Sequence, residues 1–542
     1  MSNSLSTRPN RMCYAAITVV SAAYYALYLN VGFSPADDGN YAQIAYELYL
    51  GTPAEDLTLS YGLIWFKLGE ILFDLFGPSY LSVKILFFTT IAITNVLLFY
   101  TVLNMTGRRE LALAMTTVTL IVPAFPATAF YSLCILMNAA AQMRFVTRMP
   151  GNTTTDAAIA GAVLSVSFLI RPDFGYIWTA PLILLLGLSA LRGGGFTAFW
   201  RLLSAAVVGF AAVQVPVLLM AWNSGLLGSV VTPYVSYPAM MADYAFTGLQ
   251  SLLPGYTQEL SSVGATTLQR PPLSALFSSE TGYSSLAILI YAPLLFILLC
   301  LGLIGTTLYQ QRGNVNVQPL VKILIALFAA GAAFPHYFFY RPDLSHVANF
   351  MPGYMVLAAA LIWQLNTIKR ARLVTTLVSS AIALHLGLYV WMGIQTQGTG
   401  SIAVKAGRTE SFIAENGINT SVTAFEKQQF EFLRDTILEN SEPGEAIVCV
   451  PYCPGFAFMT ARRMLFSNFY VDDSTPINDP QWISNVIAKT RADRPPVVIV
   501  MDWAINGTEI SRFENWAAAY VKFLKENARA QIAKPGLTLY LL

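Results

Sequence analysis

Residues 34–41 read Ser-Pro-Ala-Asp-Asp-Gly-Asn-Tyr, and they follow directly after the first long hydrophobic segment of the chain, 13–33. The acidic pair Asp37-Asp38 therefore stands where a membrane-embedded segment meets water. Because Asp-Gly is a common turn signal, one interpretation is a solvated turn. The other is a general base or a pair of metal-binding carboxylates, since two carboxylates at a bilayer surface suit chemistry at that surface.

The composition is that of a membrane protein with a soluble region attached. Of 542 residues, 55% are hydrophobic and 11% are charged, whereas a soluble domain has about 25% charged residues. From Ser401 onward lie 30 of the 62 charged residues. We therefore expect a transmembrane domain over 1–395, with outer loops 34–79 and 223–284, and a soluble domain over 396–542. The net charge of +2 and the lack of a basic cluster argue against nucleic-acid binding.

Apolar stretches of about 17–25 residues are candidate membrane spans. The first lacks a small-residue cleavage site, so we expect a retained span rather than a signal peptide. The sequence is compatible with ten to twelve spans, and eleven stretches qualify: 13–33, 80–104, 110–126, 128–146, 155–170, 175–191, 201–222, 285–308, 320–338, 348–366 and 372–394.

The basic residues predict the orientation of these spans. Loops rich in Lys and Arg remain cytoplasmic, and such residues fall in alternate loops: Arg8, Arg11, Arg108, Arg109, Arg144, Arg148, Arg192, Arg201, Arg312, Lys369, Arg370 and Arg372. The Asp37-Asp38 loop, the 223–284 loop and everything after about Gln395 are then on the opposite side. This predicts an inner-membrane protein with a cytoplasmic N-terminus and an extracytoplasmic (periplasmic) C-terminal domain.

The C-terminal 140 or so residues have the pattern of a small α/β domain. Helical periodicity runs over 425–438 and again over 510–527. Short apolar runs at 446–450, 496–501 and 537–542 predict strands. Overall, we expect a polytopic α-helical membrane protein with a C-terminal soluble α/β domain.

The residues after the acidic pair occur in a familiar order. Tyr41 and Ala45 have helical spacing, Gly51 follows, residues 60–63 read Ser-Tyr-Gly-Leu, and residues 72–77 read Leu-Phe-Asp-Leu-Phe-Gly. This order resembles the start of the GT-C membrane glycosyltransferases, specifically the protein mannosyltransferase and lipid A aminoarabinose transferase branch. Residues 61–63 stand where that family often has Tyr-Pro-Pro-Leu. The resemblance covers roughly residues 13–105.

The resemblance implies transfer of a sugar from a polyprenyl-phosphate carrier to a glycolipid, glycan or protein acceptor on the outer face of the membrane. It also implies that Asp38 or Asp37 acts as the base of an inverting displacement. An attacking hydroxyl needs a base within about 2.6–3.2 Å, and lipid phosphate is already a good leaving group. A divalent cation such as Mg²⁺ or Mn²⁺ could bind at Asp37 and Asp38, but the reaction does not require one.

Two identical tripeptides are candidates for binding the donor phosphate: Arg171-Pro172-Asp173 and Arg341-Pro342-Asp343. The planar guanidinium of arginine suits phosphate oxygens. A snorkelling anchor at a span end, or an ion pair with the Asp two residues later, explains each arginine equally simply. His336 and His346 flank the second tripeptide, and an imidazole can donate to phosphate or exchange protons, or be an ordinary hydrogen-bonded side chain.

Four further positions are weaker candidates. Lys67 could approach the lipid phosphate, although an amphipathic helix lying on the membrane would carry it anyway. Tyr61, together with Tyr234 and Tyr237 of the long 223–284 loop, could contact substrate, while an ordinary folded loop would also contain them. Cys449 and Cys453 could form a disulfide if the C-terminal domain faces an oxidising compartment.

Two other classes of protein remain open as alternatives. A transporter or flippase for a lipid-linked sugar needs ionisable residues at mid-membrane, but here those residues gather at the outer span ends. A non-catalytic envelope assembly factor would tolerate replacement of Asp38. The sequence therefore favours a glycosyltransferase and does not identify the sugar or the acceptor.

Overall fold

The computed structural model describes residues 8–59, 61–149, 151, 153–193, 195–250, 271–310, 317–335, 337–338, 343–367, 372–395, 402–505 and 509–542. The chain divides into two compact units. We call the first the membrane unit; it comprises Met1–Ala26, Phe87–Ala242 and Arg270–Val404. The second, the loop–tail unit, comprises Leu27–Leu86, Asp243–Gln269 and Lys405–Leu542.

Most described residues are helical. In chain order the α-helices are α1 (Arg8–Ala26), α2 (Asp37–Tyr49), α3 (Leu63–Phe76), α4 (Tyr80–Thr106), α5 (Arg109–Ile121), α6 (Phe130–Thr147), α7 (Thr154–Ile170), α8 (Pro172–Gly193), α9 (Gly195–Asn223), α10 (Leu227–Gln250), α11 (Thr281–Gln310), α12 (Val317–Pro335), α13 (Leu344–Thr367), α14 (Arg372–Gln395), α15 (Ile402–Gly407), α16 (Ala424–Asn440), α17 (Gly455–Met459), α18 (Thr475–Asn478), α19 (Trp482–Asp493), α20 (Phe513–Trp516) and α21 (Ala518–Asn527). The strands are β1 (Glu410–Ala414), β2 (Ile418–Val422), β3 (Ala446–Val450), β4 (Arg463–Met464), β5 (Val497–Met501), β6 (Ala530–Lys534) and β7 (Leu537–Leu541).

Within the described residues, six helices are long and apolar enough to cross a membrane: α4, α8, α9, α11, α13 and α14. The apolar helices α7 and α12 are shorter. The protein is therefore an integral membrane protein. Each of the eleven apolar stretches identified in the sequence coincides with a helix, although not every one of those helices meets the length and hydropathy expected of a span.

The first predicted span ends earlier than its hydrophobicity indicates. Helix α1 ends at Ala26, whereas the apolar stretch continues to residue 33. The backbone beyond the helix pairs with β2 instead: the amide of Ser421 donates to the carbonyl of Asn30 at 2.7 Å, and the amide of Gly32 donates to the carbonyl of Ser421 at 2.9 Å. Residues 27–33 therefore belong to the loop–tail unit, in which Tyr28, Val31 and Phe33 are buried.

Small residues allow close helix packing inside the membrane unit. A Cβ atom added to Gly161 of α7 would collide with the backbone of Ala206 on α9, and one added to Gly209 of α9 would collide with the backbone of Ala158 on α7. Glycine and alanine permit such backbone approach between membrane helices.

The C-terminal region is a mixed α/β sheet, as the apolar runs predicted. Within the described residues its five strands lie in the order β4-β3-β5-β7-β6. Strand β3 is parallel to β4 and β5, and β7 is antiparallel to β5 and β6. One face buries the side chains of Val448, Val498, Phe513, Tyr520 and Tyr540. The predicted helix at 425–438 is α16, and the predicted strands are β3, β5 and β7.

Candidate functional site

The acidic pair opens helix α2 rather than forming an isolated turn. Asp37 and Asp38 occupy the first helical turn, where negative charge interacts favourably with the helix dipole. The amide of Gly39 donates to the carbonyl of Ser34 at 2.9 Å. Glycine is required at that position because a Cβ atom would lie 2.5 Å from Cα of Gly455. The predicted solvated turn is therefore not what the chain forms.

The carboxylate of Asp38 is buried and compensated. The residue is 5% exposed. The hydroxyl of Tyr80 donates to its Oδ2 at 2.9 Å, and Nζ of Lys84 lies 3.5 Å from the same oxygen. Lys84 also donates to the carbonyl of Val31 at 3.2 Å. Asp38 thus links the start of α4 to the start of α2 through an ion pair and a hydrogen bond.

The carboxylate of Asp37 has a different environment. Asp37 is half-buried, and its Oδ1 accepts a hydrogen bond of 3.3 Å from the hydroxyl of Tyr452. Burial, and then the negative charge of Asp37, raise the pKa of Tyr452 well above its ordinary value. Tyr452 therefore remains a neutral hydroxyl donor at physiological pH.

The C-terminal region contacts α2 along its length, within the loop–tail unit. The amide of Gly455 donates to the carbonyl of Pro35 at 2.8 Å. One turn further along α2, Nε2 of Gln43 donates to the carbonyl of Arg462 at 3.1 Å. Glu47 then accepts from the amide of Met464 at 2.9 Å. These bonds fix the orientation of α2 and hence of the two carboxylates at its N-terminus.

Sequence reasoning did not identify Tyr80, Lys84 and Tyr452 as neighbours of the acidic pair. One signal was available for Lys84, because it is a cationic residue within a predicted span, and ionisable residues in membrane segments usually have partners. Tyr80 lies four residues earlier, on the same face of the helix. Nothing in the sequence around Tyr452 indicates that it reaches Asp37.

Two predicted residues of the first loop lie on or beside α3. Nζ of Lys67 is 2.7 Å from Oε2 of Glu70, one helical turn away. Tyr61 stacks on Phe66 with ring centroids 6.1 Å apart. The structure gives Lys67 an acidic partner, which agrees with the amphipathic-helix interpretation. A role in binding phosphate stays a prediction.

Arg171 is buried in the membrane unit, with 2% exposure. Its Nε donates to Oδ1 of Asp173 at 2.7 Å, and its Nη1 donates to the hydroxyl of Tyr131 at 2.7 Å. Its guanidinium carbon lies 5.6 Å from the ring centre of Tyr237. The ion pair with the Asp two residues later, which was the main competing interpretation of this tripeptide, is therefore present.

Tyr234 and Tyr237 both lie on α10, so part of the predicted 223–284 loop is a helix. Tyr237 is buried beside Arg171, whereas the hydroxyl of Tyr234 accepts a hydrogen bond from the side-chain amide of Gln214. The structure therefore brings only Tyr237 to the arginine. Residues 251–270 of that loop lie outside the described residues.

Of the second tripeptide and its flanking histidines, the structure describes Asp343 and His346. Nδ1 of His346 is 2.8 Å from Oδ2 of Asp343. The amide of His346 donates to Oδ1 of Asp343 at 3.0 Å, so Asp343 caps the N-terminus of α13. Arg341 and His336 lie outside the described residues.

The donor set at the acidic pair is limited. Among the described residues no group of three or more His, Cys, Asp or Glu side chains is arranged to hold a metal ion, and Asp38 already faces the Lys84 ammonium. Asp37 and Asp38 thus lack a third ligand of these types in the part of the chain that the structure describes. Cys449 and Cys453, by contrast, are joined by a disulfide.

Comparison with known proteins gives matches of structure only. No protein-family model matches the sequence, and no curated protein matches it either. ArnT from Cupriavidus metallidurans bound to undecaprenyl phosphate matches with a TM-score of 0.50 and 11% identity, covering 98% of this chain and 97% of that chain. The Archaeoglobus fulgidus oligosaccharyltransferase in its apo form gives a TM-score of 0.46 and 14% identity, covering 90% and 69%. Its complex with Zn and sulfate gives 0.43 and 13%, covering 89% and 67%.

The match to ArnT extends over nearly the whole of both chains. The chain therefore has the GT-C glycosyltransferase fold with membrane spans, as the resemblance of its first loop implied. At this level of identity the likeness establishes the fold and leaves the chemistry to the residues of the site.

Proposed function

We propose that this chain is an integral-membrane glycosyltransferase that moves a sugar from a polyprenyl-phosphate carrier to an envelope lipid or glycan, or to a protein. The GT-C fold supports the reaction class. The undecaprenyl phosphate bound to ArnT supports a lipid-phosphate donor. The observation that carries the proposal is the acidic pair at the start of α2, where one carboxylate is ion-paired and the other is half-buried.

The base is Asp37 in this proposal. Asp38 is 5% exposed, and its Oδ2 is engaged by Tyr80 and Lys84. Asp37 is the more exposed of the two, so an acceptor hydroxyl can reach it more readily. Asp37 would remove the acceptor proton as the hydroxyl attacks the anomeric carbon and the lipid phosphate leaves from the opposite face. Asp38 would fix the helix that presents Asp37.

The acceptor side is the extracytoplasmic one in this proposal. The alternating basic loops support that orientation, and so does the Cys449–Cys453 disulfide, since disulfides persist in oxidising compartments. We extend the proposal to eleven spans, with α1, α5, α6, α7 and α12 crossing together with the six longer helices. The transmembrane domain would then be 1–395, and the extracytoplasmic domain 396–542.

The donor phosphate requires cationic or hydroxyl partners. Arg171 is engaged by Asp173 and Tyr131, so we assign it to ordering the membrane unit. Arg341, His346 and Lys67 remain the proposed phosphate ligands, with His336, Tyr61, Tyr234 and Tyr237 as proposed substrate contacts. A divalent cation at Asp37 and Asp38 would need ligands beyond the described side chains, so no step of the proposed reaction depends on one.

The test uses a deletion strain complemented with wild type, Asp37→Asn or Asp38→Asn, and mass spectrometry of envelope glycolipids and polyprenyl-phosphate sugars. Loss of a general base typically costs about 10²–10⁴ in rate. We therefore expect Asp37→Asn to lose one glycan species and to accumulate its lipid-linked donor. Asp435→Asn is a matched control, because Asp435 lies on α16 with a side chain that is 54% exposed.

Full rescue by both Asp37→Asn and Asp38→Asn would overturn the proposal. It would favour a non-catalytic assembly factor, or a transporter if the lipid-linked sugar redistributed between membrane leaflets. Loss only in Asp38→Asn, at normal protein abundance, would instead identify Asp38 as the base.

A further inference from the structure

The hydroxyl of Tyr452 is the donor that the C-terminal region presents to the acidic pair, at 3.3 Å from Oδ1 of Asp37. Tyr452 follows β3, the strand between β4 and β5. We propose that Tyr452 is a positioning residue, held by the loop that the Cys449–Cys453 disulfide closes, which orients the Asp37 carboxylate through this hydrogen bond. This inference rests on the proposed function, in which Asp37 is the base.

The loop that carries Tyr452 is fixed at several points. Cys449 is a residue of β3, is 1% exposed, and is bonded to Cys453, which is also 1% exposed. The amide of Val471 donates to the carbonyl of Pro451 at 3.0 Å. The ring of Tyr470 packs edge-on against that of Tyr452, with centroids 5.1 Å apart. The phenol is therefore held by its own loop and by the neighbouring one.

The same loop is joined to the segment that leads into α2. The amide of Gly455 donates to the carbonyl of Pro35 at 2.8 Å. A Cβ atom on Gly455 would lie 2.7 Å from Cα of Pro35 and 2.9 Å from Cα of Gly39. Backbone contact of this closeness fixes the main chain near Tyr452 relative to the main chain near Asp37. The distance between the phenol and the carboxylate is therefore set by the backbone on both sides.

A hydrogen bond to the ionised form of a carboxylate favours that form. Because Tyr452 remains a neutral donor, it stabilises the charged base and restricts rotation of the carboxylate. Replacement by phenylalanine keeps the ring and its packing and removes only the hydroxyl. The variant Tyr452→Phe therefore separates positioning from simple packing.

Other groups surround the acidic pair and Tyr452, and the test must allow for them. Tyr80 and Lys84 of α4 contact Asp38. Tyr61 and Tyr470 lie close enough to influence Tyr452, Asp472 accepts from Tyr470, and Arg408 lies close enough to influence Tyr80. Tandem mass spectrometry assigns each labelled carboxyl to its residue, so labelling of Asp38 and Asp472 is counted separately from labelling of Asp37.

The experiment measures protonation of Asp37 without using any sugar substrate. The purified protein in detergent is treated with a water-soluble carbodiimide and glycine methyl ester from about pH 3 to pH 7, and tandem mass spectrometry quantifies labelling at Asp37. Carbodiimides react with the protonated carboxyl. In Tyr452→Phe we expect the labelling midpoint of Asp37 to rise by roughly one pH unit, the size of one hydrogen bond to a charged group.

Tyr470→Phe is the matched control, because the Tyr470 hydroxyl bonds to Asp472 at 3.3 Å. We expect it to leave the Asp37 midpoint unchanged. The double variant Cys449→Ala/Cys453→Ala should raise the midpoint in the same direction as Tyr452→Phe, with circular dichroism verifying that it is folded. An Asp37 midpoint in Tyr452→Phe equal to that of wild type would overturn the inference.

The two proposals can fail separately. Normal transfer by both Asp37→Asn and Asp38→Asn removes the proposed function, whatever the labelling gives. An unchanged midpoint removes the positioning role of Tyr452, even if Asp37→Asn abolishes transfer. If both proposals hold, the acid limb of the pH–rate profile also moves to higher pH in Tyr452→Phe.

Discussion

Lys84 and Asp38 form an ion pair of 3.5 Å in which the two side chains are only 6% and 7% exposed. Burial of two charges is costly unless they compensate one another and make further hydrogen bonds. Tyr80 and the carbonyl of Val31 supply those bonds. The pair therefore specifies how the first residues of α4 sit against the first turn of α2.

Lys84→Met should destabilise the protein strongly. It leaves the Asp38 carboxylate buried without a counter-charge, and loss of one partner of a buried pair costs about 3–5 kcal/mol. The measurement is thermal denaturation of the detergent-solubilised protein. The double variant Asp38→Asn/Lys84→Met should lose less than the sum of the two single variants, because the single variants each leave one buried charge unpaired.

Lys427→Met serves as the control for Lys84→Met. Lys427 lies 3.4 Å from Glu410, with side chains 33% and 43% exposed, and exposed pairs contribute about 0–1 kcal/mol. Equal destabilisation by the two Lys→Met variants would contradict the buried-pair interpretation.

Arg171→Met should destabilise the membrane unit for a similar reason. Asp173, with a side chain 7% exposed, would lose its partner at a cost of about 3–5 kcal/mol. The variant Arg171→Met/Asp173→Asn should recover much of that loss, as judged by the melting temperature. If Arg171→Met instead melts like wild type while its donor KM rises, Arg171 binds the phosphate and does not order the unit.

Gly39→Ala should disrupt the seating of α2. The new methyl group would lie 2.5 Å from Cα of Gly455 and 2.9 Å from the carbonyl oxygen of Ser34. Both are backbone atoms, so the clash cannot be relieved by a change of side-chain rotamer. Overpacking typically costs about 1–3 kcal/mol. We expect a lower melting temperature together with reduced transfer.

Gly187→Ala provides the comparison for Gly39→Ala. Apart from its chain neighbours and the backbone of its own helix, a Cβ atom on Gly187 of α8 would meet no heavy atom of the described residues within 4 Å. Alanine is favoured over glycine in a helix by roughly 1 kcal/mol, so stability should be unchanged or slightly higher. Similar losses in the two variants would show that the close approach of Gly39 to Gly455 is unimportant.

Thr423→Ala should weaken the start of α16. The hydroxyl of Thr423 accepts from the amide of Glu426 at 3.1 Å, and the Glu426 carboxylate accepts from the amide of Thr423 at 2.8 Å. Loss of such a cap costs about 1 kcal/mol. Thr423→Ser keeps the hydroxyl and should melt close to wild type; equal destabilisation by Ala and Ser would exclude capping as the cause.

The sequence was sufficient for the parts of the fold that depend on local periodicity. Apolar runs located the membrane helices, and the runs 446–450 and 496–501 predicted strands β3 and β5, since buried parallel strands are nearly continuous in hydrophobic residues. Strand β6 carries little such signal: all five of its residues are partly or largely exposed, and it depends on β7 for its backbone hydrogen bonds. Its existence is a tertiary effect.

The candidate site was only half visible for the same reason. Asp37 and Asp38 stand out because charge is rare near the first apolar segment. Tyr452 does not, because its significance depends on a contact across 415 positions of sequence. The sequence placed the end of the first span at residue 33, whereas α1 ends at Ala26. Hydrophobicity cannot distinguish a residue that faces lipid from one, such as Phe33, that is buried against Phe430 of α16.

The contact between Asp37 and Tyr452 has a consequence for biogenesis. Ribosomes add about 5–20 residues per second, so the 415 positions between these residues take roughly 20 to 80 s to synthesise. During that interval Asp38 can already contact Tyr80 and Lys84. Asp37 cannot yet accept the hydrogen bond from Tyr452, because Tyr452 has not been synthesised. A nascent chain, or one truncated before Tyr452, would therefore contain the acidic pair without the hydrogen bond to Asp37. That bond would form only after the region around Tyr452 has emerged and folded.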